Sequence, residues 1–144
     1  MANQTAAVTR KTRNRGNVMY ADYVVKTSEA IYAGVLVTLN ATNRALGATP
    51  AAGERFVGIA AETKTGVAGG TVRVRCEWNI EALYNALTAL TSAYLGKDVV
   101  ASTDQDVTTN SAISAAKRIR IGEFVELEGG DAWVALRRHS DAAV

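Results

Sequence analysis

One cysteine, one proline and one histidine stand among 144 residues. Cys76 alone cannot close an internal disulfide, so the fold cannot depend on an oxidising compartment. With one Cys and one His, the usual zinc ligand sets cannot be assembled from a single chain. No stretch approaches the ~20 apolar residues of a membrane span. The leading MANQTAAVTRKTRNRGN has basic residues with no apolar run behind them and does not read as a secretory signal. These absences predict a soluble protein made inside the cell. Acid is also missing locally: residues 1–20 hold Arg10, Lys11, Arg13 and Arg15 and no carboxylate. The net charge of +2 therefore divides into a +4 leader and a remainder of 12 basic against 14 acidic side chains. Positive character belongs to the leader, not to the body.

What is present is β-forming and weakly periodic. A chain of this length suits one domain and buries roughly 68–70% of its unfolded surface, enough for a core without staples. Residues 1–17 are polar and aperiodic and read as an extended or disordered basic arm, with a single β-rich body over 18–144. Strands are expected at about 18–27 and 35–39, where β-branched and aromatic residues gather on either side of Gly34. Residues 40–55, with Pro50, read as a long connection. Strands resume at 56–61 and 71–78. In the second, Val72, Val74, Cys76 and Trp78 share one face and Arg73, Arg75 and Glu77 the other. Leu83, Leu87, Leu90 and Tyr94 recur at helical spacing, so one short helix is expected over 79–95, with Asn79 as N-cap and Gly96 after its end. Strands at 97–101, 119–127 and 132–138 complete the body, the last two joined in a hairpin at Glu128–Asp131.

An internal repeat underlies this order. Gly34 aligns with Gly96 at an offset of 62, Gly58 with Gly122 at 64, and Val72 with Trp133 at 61. Each half is a β-meander too short to close a core alone, so the expected fold is all-β, a small barrel or sandwich of two such halves. Isolated strand glycines then mark bulges or bends.

Chemistry is sparse. His139, Ser140 and Asp141 are adjacent at the chain end and cannot hold the geometry of a triad. Asp104-Gln105-Asp106 begins like a calcium loop, but the twelfth position is Ala115 and the glycine is missing, which leaves a polar turn. Gly66–Thr71 lacks the lysine and following helix of a phosphate cradle and reads as a hairpin loop. Cys76 reads as a small buried hydrophobe, and Glu123, Glu126 and Glu128 show no partner acid at a hydrolytic spacing. Trp78 and Trp133 read as core aromatics. No enzymatic activity, cofactor, metal or small-molecule substrate is expected. The arm carries no aromatics for base stacking and the body no basic stripe, so a nucleic-acid-binding barrel is the weaker alternative.

AGVLVTLNATNRALGATPAAGERFVGIAAETKTGVAGGTVRVR, GKDVVASTDQDVTTN and IGEFVELEGGDAWVAL together resemble the head decoration, or capsid cement, proteins of tailed bacteriophages over about residues 33–138. The resemblance implies a virion protein, made in the host cytoplasm, that sits on the outer capsid surface, binds the major capsid protein, often as a homotrimer, and stabilises the expanded shell. On that reading Arg10, Lys11, Arg13 and Arg15 would meet acidic patches of the capsid. The body would form the oligomer interface, with Phe124, Val125, Trp133 and Val134 as its candidates because apolar residues there fall on both strand faces. Another virion module, of a tail or spike, shares the same β-rich composition.

Overall fold

A computed structural model describes residues 3–7 and 10–137 and, at Arg15, the backbone only. Strands dominate it: β1 (Thr12–Val24), β2 (Ala30–Ile31), β3 (Leu36–Leu39), β4 (Ala45–Gly47), β5 (Arg55–Ala60), β6 (Lys64–Thr65), β7 (Arg73–Ala86), β8 (Asp98–Ala101), β9 (Asp106–Thr109), β10 (Arg120–Glu128) and β11 (Asp131–Leu136). Helical structure among the described residues is limited to single 3-10 turns at Ser92–Tyr94, Asn110–Ala112 and Ala115–Lys117. The fold is all-β.

The expected helix over 79–95 is not formed. Two periodicities overlap there, and the period-two set wins: Ile80, Ala82 and Tyr84 alternate into the core, so β7 runs on through Ala86. Pairing decides the outcome, because both edges of β7 find partners in this stretch, β1 at Ile80–Ala82 and β11 at Glu81–Asn85. An isolated helix of that length would be marginal in water, whereas a strand bonded on both sides is not. Asn79 is no N-cap. It sits at φ 65° inside the strand and donates its side-chain amide to the Asn17 carbonyl at 2.7 Å. Of the helical stripe, Leu90 is buried and Tyr94 packs on the same core from the 3-10 turn.

β7, β11, β10, β8 and β9 close into a five-stranded barrel. Antiparallel ladders join each neighbour except β7 and β9, which run parallel at Asn85–Ala86 against Asp106–Val107. The first half repeats the plan. Its order β4-β3-β5-β7 matches β9-β8-β10-β11, with β1 in the place that β7 takes in the second half. There the parallel closure shrinks to one bridge, Val25 with Ala45. Corresponding hydrogen bonds make the equivalence concrete. Gly34 N–H reaches Ala60 O, and Gly96 N–H reaches Phe124 O, both at 2.9 Å. Lys26 N–H donates to Ala45 O at 2.9 Å, and Leu87 N–H to Val107 O at 3.0 Å.

Gly58 and Gly122 occupy the same place in their halves, each beside a register shift in its ladder. Their φ values, 139° and 155°, are open to glycine and strained for other residues. A Cβ on Gly122 would lie 1.8 Å from the Ala135 carbonyl oxygen. Two cores follow from the two halves. One, around Tyr84, Phe124, Ile121 and Leu136, fills the closed barrel and takes in Leu36, Ala48, Phe56 and Ile59 from the first half; the other lies under the first half around Val35, Val37, Val74 and Cys76.

Candidate binding surface

The basic leader is where sequence placed function, and the structure joins part of it to the body. From Thr12 onward its backbone is already β1, so the boundary drawn at residue 18 falls inside a strand. Thr12–Asn14 pair with Ala82–Ile80, and Met19–Val24 pair with Trp78–Arg73. Between those ladders, residues 15–18 of β1 stand opposite Asn79 alone, which makes a wide bulge centred on Gly16 at φ 111°.

Three of the four candidate arm cations are thereby placed against the chain's own groups. Arg13 reaches Glu126 at 2.6 Å with one terminal nitrogen and Glu81 at 2.8 Å with the other, while its guanidinium carbon lies 3.8 Å from the centre of the Trp133 ring. The hydrogen bond to Glu126 holds its charge still more firmly than usual, against a smaller opposing effect of desolvation. Lys11 lies 3.4 Å from Glu128, with 70% of its side chain exposed, so this pair contributes little. Arg10 donates to the Gln4 side-chain carbonyl at 2.8 Å and to Gly34 O at 3.3 Å, and lies 4.5 Å from the centre of the Tyr84 ring. The side chain of Arg15, like His139, Ser140 and Asp141, lies outside the described residues.

Ahead of these cations the chain is tied down by Asp104, in the stretch whose sequence predicts a polar turn. Asp104 is 4% exposed; its carboxylate accepts the Gln4 backbone N–H at 2.8 Å, and its own N–H donates to the Asn3 side chain at 3.2 Å. Burial is the main reason its pKa rises from 3.8 to about 6; the Gln4 hydrogen bond and the charge of Arg10 pull the other way. Asp106, buried beside it, accepts from the side chains of Asn85 and Thr103 at 2.6 and 2.7 Å. No local signal marks Asp104 for this role, because its partner lies 100 positions away.

Phe124, Trp133 and Val134, taken as candidates for an oligomer interface, are 1%, 5% and 0% exposed. They pack within one copy, Trp133 beneath Arg13 on the outer face, and Val125 is half-buried. The reason is barrel closure: β10 and β11 each have neighbours on both edges, so residues read as two-faced are used by the interior on one side and by Arg13 on the other. Cys76 is a buried core residue, as expected.

Two shallow grooves flank β7. One of about 320 Å³ runs between Arg10 and Glu77 over Val18, Ile59 and Ile80; the other, about 350 Å³, is lined by Asp22, Glu62, Arg73, Arg75 and Glu77. Among the described residues, no three His, Cys, Asp or Glu side chains gather as a metal site, and no helix is long and apolar enough to cross a membrane. Compared with known proteins, the chain matches no family model, no curated protein and no solved structure.

Proposed function

We propose that this protein is a structural component of a tailed-bacteriophage virion that binds the outer surface of the assembled capsid and braces the expanded shell. The observation that carries this reading is the coincidence of the three resembling stretches with strands of the two halves: β3 to the first residues of β7, then β8 and β9, then β10 and β11. The stretches that resemble cement proteins therefore supply most of the strands of the body, with the basic leader fastened along β7. Lys11 and the exposed part of Arg13 can meet acidic groups of a shell, whereas Arg10 is held by Gln4, Gly34 and Tyr84.

Mass action supplies the bracing. A protein that binds only the expanded shell stabilises it by about 2.7 kcal/mol per site at a ~100-fold excess over Kd, repeated across the lattice. Purified protein mixed with emptied, expanded heads that lack it should add regular density to the outer surface in electron micrographs. Heads that stay bare at saturating protein would sink the proposal. A salt titration against DNA separates the nucleic-acid alternative, since such a binder loses affinity steeply as salt rises.

A further inference from the structure

β1 is bonded along one edge only. None of its described residues is buried, and Met19 and Tyr20 are 49% and 61% exposed. Among the described residues nothing pairs along its other edge until Val25 bridges to Ala45. The repeat shows what that edge takes. β7, which plays the part of β1 in the second half, has the equivalent edge covered by an antiparallel strand from Arg73 to Ala82, and that strand is β1 itself. The Lys26 and Leu87 hydrogen bonds set the two halves 61 positions apart. The matching stretch of β1 is then residues 12–21, which is bare. A long uncovered edge invites a strand from another chain.

We infer that this protein pairs with a second copy of itself along the free edge of β1, antiparallel about a two-fold axis at Ala21, so that the two β1–β7 ladders merge into one sheet.

The register follows from backbone alternation. Val25 N–H donates to Val72 O at 2.9 Å, so Tyr23, Ala21 and Met19 turn their main-chain groups toward β7 and Tyr20 and Asp22 turn theirs outward. With the axis at Ala21, Tyr20 of each copy stands opposite Asp22 of the other and exchanges both hydrogen bonds. Side chains agree with that register. Arg75 already holds Asp22 at 3.4 Å and lies 4.8 Å from the centre of the Tyr20 ring, so on this face each Asp22 meets an aromatic and an arginine and no acid directly opposes an acid. On the other face Ala21 meets Ala21, and half-exposed Met19 is covered by Tyr23 of the second copy. An isologous contact of this kind closes on itself, pairing residues 18–24 of each copy and leaving residues 12–17 of the edge uncovered. It does not depend on capsid binding and is tested in its absence.

The test uses the full chain with Cys76→Ala as background. A pair whose hydrogen-bonding groups face away from each other brings Cα atoms to ~4.5 Å, within disulfide reach. Ala21→Cys should therefore give a linked dimer on mild oxidation, seen on a non-reducing gel. Met19→Cys, which faces Tyr23 and not itself, should stay unlinked. Asp22→Pro removes an outward N–H without touching the β7 ladder and should convert the sedimenting dimer to monomer with an unchanged far-UV spectrum. The inference is overturned by a monomer or trimer from the unaltered chain, by no link at Ala21→Cys, by equal linking at both positions, or by a dimer that survives Asp22→Pro.

Discussion

Arg13 covers Trp133: the guanidinium lies 3.8 Å from the ring centre and is fixed from either side by Glu81 and Glu126. A leader residue thus forms the lid of a core aromatic, which explains how Trp133 reaches 5% exposure on a strand at the surface of a small barrel. Arg13→Ala should uncover the ring. In a Trp78→Phe background, fluorescence from Trp133 should shift to the red and be quenched more readily by acrylamide. Arg13→Lys should recover only part of the protection, since an ammonium has no planar face and cannot bond both carboxylates in the same fork. Unchanged quenching in Arg13→Ala would mean the leader does not rest there in solution.

Asp104 gives a pH signature with a defined sign. Burial raises its folded-state pKa from 3.8 to about 6, so the folded chain binds more protons than the unfolded chain between those values. Its contribution to stability is fully present below about 3.8 and is lost as pH rises through about 6. Glu54, also raised by burial, acts in the same direction. Asp104→Asn keeps an acceptor for the Gln4 N–H and removes the titration. At pH 7 the variant should be more stable than the parent by an amount on the order of 2 kcal/mol. Near pH 4 the difference should vanish. Urea melts at the two pH values measure this, and a difference independent of pH would contradict it.

Tyr84 ties the two halves together, donating its hydroxyl to Gly34 O at 3.1 Å from the fully buried interior of the closed barrel. Burial pushes its pKa up, so it stays a neutral donor through the working pH range. Tyr84→Phe leaves the ring and the Arg10 contact in place. It should cost about 0.5–1.5 kcal/mol, the worth of one hydrogen bond, and the small end is expected because Gly34 O keeps the Arg10 donor at 3.3 Å. Tyr84→Ala should cost about 3–5 kcal/mol through the cavity it opens. Equal losses in the two variants would mean that packing plays no part.

Alternation made much of this fold legible. The faces of 73–76 could be read from alternation because Val74 and Cys76 are buried while Arg73 and Arg75 are exposed, whereas Trp78, expected in the core, is only half-buried, like Glu77. The glycine offsets exposed the repeat because Gly34, Gly58, Gly96 and Gly122 all hold positive φ at matching places. The stretch 80–86 misled because Ile80, Ala82 and Tyr84 carry the strand period while Leu83, Leu87 and Leu90 carry a helical one, and only the partners on both edges decide between them. β4 was missed inside the Asn-, Thr- and Ala-rich connection at 40–55, and β9 for its Asp and Thr content, both turn-like until pairing buries them. The surface was less legible still. That Arg13 would find Glu81, Glu126 and Trp133 depends on barrel closure, and that Asp104 would hold Gln4 depends on a contact across nearly the whole chain.

The paired glycines offer the sharpest stability test of the repeat. At Gly122, φ 155° is strained for any L side chain, and the added Cβ would sit 1.8 Å from Ala135 O, a main-chain atom of the neighbouring strand that cannot swing away. At Gly58, φ 139° carries the same strain and the clash is 2.5 Å, against Glu77 O. At Gly96, φ 80° is left-handed but nothing lies within 4 Å of the Cβ position. Gly96→Ala should therefore show conformational strain alone, about 1–2 kcal/mol. Gly58→Ala and Gly122→Ala add backbone displacement and should each exceed about 3 kcal/mol, with Gly122→Ala the worse because its strand closes the barrel. Chemical denaturation of the three variants gives the ranking. If Gly122→Ala proves no more costly than Gly96→Ala, β10 does not approach β11 as closely as the bulge requires, and the equivalence of the two halves at this position fails with it.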